Sequence, residues 1–148
     1  MATLLLDVNV LLALAWPNHV HHEAAHRWFA GRSSRKWATC ALTQLAFVRL
    51  SSQPSVVKTT MTVSEALQAL DANVALPDHE FWPMAEGFTD MLPDIRQRLM
   101  GHQQLADALL LDLAIKRSGA LATFDRRVDS LLPPDSEHRS ALDILELI

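Results

Sequence analysis

An α/β domain with a mainly parallel sheet is the fold class that this sequence predicts, on three observations. Residues 3–6 and 120–123 are short, continuous apolar runs, which read as strands buried on both faces. Runs with helical spacing lie between the strand-like ones. The two kinds alternate along the chain, as they do where parallel strands are joined by helical crossovers.

The elements follow in order. Thr3-Leu4-Leu5-Leu6 is the first strand. The chain turns at Asp7-Val8-Asn9 and enters a helical run, 10–16, which Pro17 and Asn18 break. Residues 21–30 read as a helix with Ala25, Trp28 and Phe29 on its apolar face and Gly31 as its stop. Residues 36–39 form a second short strand. The next helix spans 42–50, with Leu42, Leu45, Ala46 and Val48 apolar, and ends at the Ser-Ser-Gln-Pro break of 51–54. Thr62 and Glu65 have capping-box spacing, and a helix then runs through Leu67 and Leu70. Residues 73–76 read as a strand, and a helix is expected around 84–91. The clearest helix is 101–117, with Leu105, Ala106, Leu109, Leu110 and Leu113 as its apolar face. Lys116 and Arg117 suit the negative end of its dipole and Gly119 its termination. The strand at 120–123 follows at once, and the tail 142–148 reads as an edge strand.

The 148 residues suit one domain, 1–148, large enough to bury roughly two-thirds of its unfolded surface. Hydrophobic residues at 49% and charged ones at 20% argue against disorder. The single cysteine, Cys40, excludes an intramolecular disulfide and a cysteine zinc cluster, and points to a reducing cytoplasm. Asp7 and Asn9 interrupt the first apolar stretch, which therefore reads neither as a signal peptide nor as a membrane span. A net charge of −4 is mildly unfavourable for binding nucleic acid, unless metal ions bridge acids to phosphate. Arg32, Arg35 and Lys36 read as a solvated basic face. Arg126 and Arg127 directly follow an acid and are candidate phosphate contacts.

Three acids stand at the ends of apolar elements. Asp7 ends the first strand, Asp125 follows the strand 120–123, and Asp107 lies in the first turns of the long helix. Ligands of open α/β sheets bind at the carboxyl ends of the strands. A buried carboxylate without a partner is costly, so a cation or donors should lie near Asp107. Taken singly, Asp7 suits a turn, Asp125 a helix cap, and Asp107 a helix N-terminus. As a set of hard oxygen ligands they point to Mg²⁺ or Mn²⁺ and to phosphodiester hydrolysis.

With these acids go further segments: 6–14 (Leu-Asp-Val-Asn-Val-Leu-Leu-Ala-Leu), 39–44 (Thr-Cys-Ala-Leu-Thr-Gln), 47–49 (Phe-Val-Arg), 79–83 (His-Glu-Phe-Trp-Pro), 101–108 (Gly-His-Gln-Gln-Leu-Ala-Asp-Ala) and 121–127 (Leu-Ala-Thr-Phe-Asp-Arg-Arg). In content and order they resemble the PIN domain, and more narrowly the VapC-type toxins of bacterial toxin–antitoxin pairs. The resemblance spans nearly the whole chain. It implies a three-layer α/β/α sandwich and a Mg²⁺-dependent endoribonuclease, with Mn²⁺ as a substitute ion. It implies Asp7 and Asp107 as metal ligands, Asp125 as a further ligand or an orienter of the attacking water, and Asn9 and Thr123 as residues that orient the carboxylates. It also implies an RNA substrate, a cognate VapB-like antitoxin whose helical tail lies in an apolar groove, and a homodimer.

One departure from the family's pattern matters. The stretch 43–47, Thr-Gln-Leu-Ala-Phe, carries no acid where the family usually places a glutamate. Gln44 is the nearest polar candidate, and an amide oxygen coordinates without adding charge. One well-held ion and a weaker second are expected. The same departure motivates a rival reading, a degenerate module that binds RNA or a partner without cleaving. An aspartyl-phosphate phosphotransferase is a further rival, and it wants an acid where Asn9 stands.

Other residues carry lesser expectations. His22 and His26 have the i,i+4 spacing of helical metal ligands but no identifiable third partner, so a solvated helix face is expected. His102 is expected to cap or pack rather than act as a base. Trp16, Trp28 and Trp37 read as core or interface residues, and Trp82 as the tryptophan placed to meet RNA.

Overall fold

A computed structural model describes residues 2–53 and 61–146. Its five strands are β1 (Leu4–Leu6), β2 (Trp37–Thr39), β3 (His79–Phe81), β4 (Ala120–Thr123) and β5 (Leu142–Ile144). They form one parallel sheet in the order β3-β2-β1-β4-β5. The helices are α1 (Val8–Ala15), α2 (His22–Ala30), α3 (Ala41–Ser51), α4 (Val63–Val74), α5 (Pro93–Arg96) and α6 (Leu105–Lys116).

The apolar runs are continuous because both faces of the central strands are covered. Leu5 and Leu121 point into a core with Ile95, Leu111, Leu131 and Leu132. Leu4, Leu6, Ala120 and Ala122 point the other way, against Val10, Phe47 and Leu70. These two cores and the sheet between them make the three layers expected. The β1–β4 register pairs Leu4 with Ala120, Leu5 with Leu121 and Leu6 with Ala122. A slip by one residue would invert every side chain between the cores. Each buried leucine stabilises the fold by roughly 1.5–3 kcal/mol relative to exposure, so the register is firmly held.

The capping box of α4 forms as its spacing predicts. Glu65 N donates to Thr62 Oγ1 at 3.1 Å, and Thr62 N donates to Glu65 Oε1 at 3.2 Å. His22 Nδ1 and His26 Nε2 lie 2.7 and 2.9 Å from the carbonyl oxygens of Ala13 and Leu14, at the end of α1. Their spacing thus serves the orphan carbonyls of a helix terminus. Trp37 is buried, and Trp16 stacks on Phe47 at 5.9 Å while its indole donates to Ser51.

Five expectations need correction. Residues 73–76 are not a strand: α4 continues to Val74, and β3 follows at His79–Phe81. Val74, the one β-branched residue of 73–76, is taken up by a helix already nucleated by its cap. No helix spans 84–91, where only a single 3₁₀ turn forms at Phe88–Asp90. That segment is fastened to α6 instead: Lys116 Nζ donates to Glu86 and to the Asp90 carbonyl, and buried Asp112 accepts from Leu92 N at 2.9 Å. Trp82 is 4% exposed and lies under Arg117, whose guanidinium is 5.9 Å from the ring, so it faces the core rather than RNA. Gly119 is needed for space rather than for conformation. The left-handed residue after α6 is Ser118, at φ 56°. A Cβ on Gly119 would lie 2.5 Å from the Thr3 carbonyl oxygen and 2.6 Å from the Trp82 ring.

The long helix is also shorter than 101–117, since a 3₁₀ turn at His102–Gln104 precedes α6 and leaves His102 exposed. Pro54, in the break at 51–54, and residues 147–148 of the expected tail strand lie outside the described residues. Among the described residues no helix is long and apolar enough to cross a membrane.

Candidate active site at the carboxyl edge of the sheet

Asp7 and Thr123 stand side by side because β1 and β4 are adjacent and in register. Asp7 N donates to the Ala122 carbonyl at 2.9 Å, extending the ladder by one residue. The chain then enters α1 at once, with Asp7 as its N-cap. Asp7 Oδ1 accepts from Val8 N at 2.7 Å, and Oδ2 accepts from the Thr123 hydroxyl at 2.8 Å.

Thr123 is fully buried and its hydroxyl is saturated. It donates its one proton to Asp7 and accepts from Asn9 Nδ2 and from Asp125 N, both at 3.1 Å. A hydroxyl has one proton and two lone pairs, so nothing is left over. Asn9 also accepts from Phe124 N at 3.3 Å. Asn9 and Thr123 therefore tie the start of α1 to the turn after β4 and fix the Asp7 carboxylate. Such supporting hydrogen bonds orient ligands around metal ions.

Asp107 reaches the same edge from the first turn of α6. It is half-buried, and its pKa is pushed up to about 6, chiefly by burial and then by the charges of Asp7 and Asp125. Burial also raises Asp7, against the opposing hydrogen bonds from Thr123 and Val8, and the Asp125 charge adds to the rise. The three carboxylates thus repel one another in a partly desolvated place.

Asp125 differs. It caps the 3₁₀ turn Arg126–Leu131 by accepting from Arg127 N at 3.0 Å. The Arg127 guanidinium meets it through Nε at 3.0 Å and Nη2 at 2.8 Å, which holds its carboxyl below the usual range. Arg127, a candidate phosphate contact by sequence, is thus held on Asp125. A spacing of two across a turn is the only sequence signal of this pairing. Arg126 is exposed beside it.

Gln44 sits at the start of α3, on the same edge of the sheet, and donates through Nε2 to Thr39 Oγ1 at 3.0 Å. Thr39 Oγ1 also lies 2.8 Å from His79 Nε2. His79 was legible only as part of a motif, because the pairing of β2 with β3 brings it to Thr39.

Among the described residues, no three His, Cys, Asp or Glu side chains are grouped so as to hold a metal ion between them. The donor set still fits a hard divalent cation. Mg²⁺ keeps most of its waters and binds through one or two carboxylates, so a closed cage is unnecessary. Burial lifts Asp107 and the charges of Asp7 and Asp125 add to the rise, and such an ion would offset both.

A three-layer parallel α/β fold with an acidic carboxyl edge defines the class of protein. The PIN domain model matches residues 4–131, and the chain belongs to this family. Within it the chain groups with the VapC ribonucleases. It is 44% identical over 129 residues to Ribonuclease VapC39 of Mycobacterium tuberculosis strain H37Rv, covering 83% of this chain and 88% of that protein. Ribonuclease VapC38 of the same strain is 39% identical over 127 residues, covering 86% and 88%. The fold matches that of a toxin–antitoxin complex from Klebsiella pneumoniae with a TM-score of 0.61 at 16% identity, over 99% of this chain and 100% of that one. It also matches Mycobacterium tuberculosis VapC20, a sarcin–ricin loop cleaving toxin, with a TM-score of 0.57 at 13% identity, over 86% and 94%.

Proposed function

We propose that this chain is a Mg²⁺-dependent endoribonuclease, the toxin of a VapBC-type pair, with Mn²⁺ able to replace Mg²⁺. The observation that carries the reading is the gathering of Asp7, Asp107 and Asp125 at the carboxyl edge, where burial and then the two neighbouring charges lift Asp107 to about 6. Asp7 and Asp107 would hold the ion, and Gln44 would serve a weaker second site. A bound divalent cation supplies charge stabilisation at the phosphoryl group and a more acidic water.

The protein's own groups do the rest. Thr123 and Asn9 keep the Asp7 carboxylate in place. Asp125, kept ionised by Arg127, is a poor base and acts by orienting the attacking water through its remaining lone pairs. Arg126, with Arg127 behind Asp125, would meet RNA phosphates. Water adds to phosphorus as the bond to the 3′ oxygen breaks. The proton lost by the water goes to solvent and the leaving oxygen takes one up, giving a 5′-phosphate and a 3′-hydroxyl.

A VapB-like antitoxin would be the partner, acting with the toxin in the cytoplasm. A cavity of about 160 Å³ on the α1–α4 side, with Leu11, Leu14, Phe29, Phe47 and Leu70 among its walls, is the size of one large apolar side chain and supports a seat for an anchor residue of a helical tail. A single-domain homodimer is part of this reading.

The absent acid at Gln44 favours a second reading, a PIN module that binds RNA without cutting it. Cleavage of total RNA in Mg²⁺ and in EDTA separates the two. The Asp7→Ala protein should remain folded and lose cleavage, and retained cleavage would overturn the assignment.

A further inference from the structure

Where the family usually places an acid, a hydrogen-bond chain of fixed direction stands instead. His79 lies on the edge strand β3, its ring 4.7 Å from that of Trp37, with which it is in register. Its Nε2 is 2.8 Å from Thr39 Oγ1, and Gln44 Nε2 is 3.0 Å from the same oxygen. The ring also hydrogen-bonds the backbone of Val74. A carbonyl can only accept, so the ring nitrogen facing Val74 carries a proton. Burial holds the imidazole below its ordinary pKa and favours the neutral ring, which has a single N–H. Nε2 is then the bare acceptor that faces Thr39.

The rest follows from counting protons. Thr39 is fully buried and has one hydroxyl proton, which goes to His79. Only lone pairs remain for Gln44, so the amide must meet Thr39 with its NH₂ end. Its carbonyl oxygen is the end left unspent, at the start of α3 on the edge that carries the acids. Were Thr39 free to donate to Gln44, the amide would be equally satisfied the other way round, with its nitrogen toward the acids.

We propose that His79 and Thr39 are positioning residues that turn the Gln44 carboxamide so that its oxygen, not its nitrogen, faces the acid cluster as a neutral ligand for a divalent cation. The role of the ion rests on the metal-dependent reading above; the orientation of the amide does not.

The test uses the full chain with Mn²⁺ alone as the probe. Binding is read by calorimetry, and the Gln44 side-chain amide by ¹⁵N NMR, its resonances assigned by their loss in Gln44→Ala. His79→Phe keeps a ring on Trp37 and removes the acceptor, whereas His79→Gln offers an oxygen near the place of Nε2. His79→Phe should shift the Gln44 amide resonances and weaken Mn²⁺ by about fivefold, the scale of one redirected hydrogen bond. His79→Gln should restore both. In the Gln44→Ala background, His79→Phe should weaken Mn²⁺ no further. Unmoved Gln44 resonances in His79→Phe, or an equal loss of affinity in the Gln44→Ala background, would overturn the proposal. If the unaltered protein binds no Mn²⁺, the metal-dependent reading fails, and the amide resonances alone decide the orientation. Should His79→Phe fail to fold, the near-isosteric Thr39→Val removes the same link and carries the same expectations.

Discussion

Replacing Asp107 by asparagine should stabilise the metal-free protein while abolishing cleavage. Asp107 has its pKa raised from 3.8 to about 6 by burial and by the charges of Asp7 and Asp125. A carboxyl whose pKa is higher in the folded than in the unfolded state penalises folding once it is ionised. The penalty is absent below about pH 4, grows as the pH rises through the interval to 6, and is complete above it. A shift of about two units corresponds to roughly 3 kcal/mol at most, at 1.36 kcal/mol per unit. Asp107 is only half-buried, and solvent screening reduces the figure to about 1 kcal/mol. For a chain of this size that is a rise of roughly 2–4 °C in Tm. Thermal melting in EDTA should therefore show Asp107→Asn melting higher than the unaltered protein at pH 7.5 and together with it at pH 4. Added Mg²⁺ should narrow the gap by stabilising the protein that keeps both carboxylates. An Asp107→Asn protein that melts no higher at pH 7.5 in EDTA would refute the claim that the burial of the Asp107 charge and its repulsion by Asp7 and Asp125 are uncompensated.

Other perturbations read different links of the same chain of reasoning. Thr123→Val removes the hydroxyl that joins Asp7, Asn9 and Asp125, leaves buried polar groups unpaired, and should cost about 1–3 kcal/mol in urea unfolding together with most of the cleavage rate; unchanged stability would show that Asp7 is held by other means. Gln44→Glu adds the missing charge, and calorimetry should find a second tight Mg²⁺ site where the RNA-free unaltered protein has at most one. Two tight sites in the unaltered protein would contradict the weak role given to the amide. Gly119→Ala places a methyl group against the Thr3 carbonyl and the Trp82 ring, and should lower stability by about 1–3 kcal/mol, read as a drop in the urea midpoint.

The central strands were legible because both faces of β1 and β4 are covered, which makes their apolar runs continuous. β3 was not legible. Its three residues, His-Glu-Phe, are half-buried or exposed at an edge, and only pairing with β2 makes them a strand. Residues 84–91 look helical until Lys116 and Asp112, 26 and 20 positions from the backbone groups they bind, fasten the neighbouring backbone in another path. Trp82 misled for a similar reason. A loop position suggested exposure, but the loop folds over Gly119, the one residue there small enough to lie beneath the ring.

The sequence by itself determined the parallel sheet, the order of its central elements and the edge on which Asp7 and Asp125 emerge. Those features depend on periodicity and on residues next to a strand end, which are local. Only the tertiary structure decided how the acids differ. Asp7 is raised by burial although Thr123 bonds it from 116 positions away, Asp107 is raised by burial and then by charges from two other elements, and Asp125 is lowered by Arg127. It likewise decided that Gln44 is aligned through Thr39 by a histidine on another strand. Burial and electrostatic coupling depend on distances that exist only once the strand register has brought these residues together.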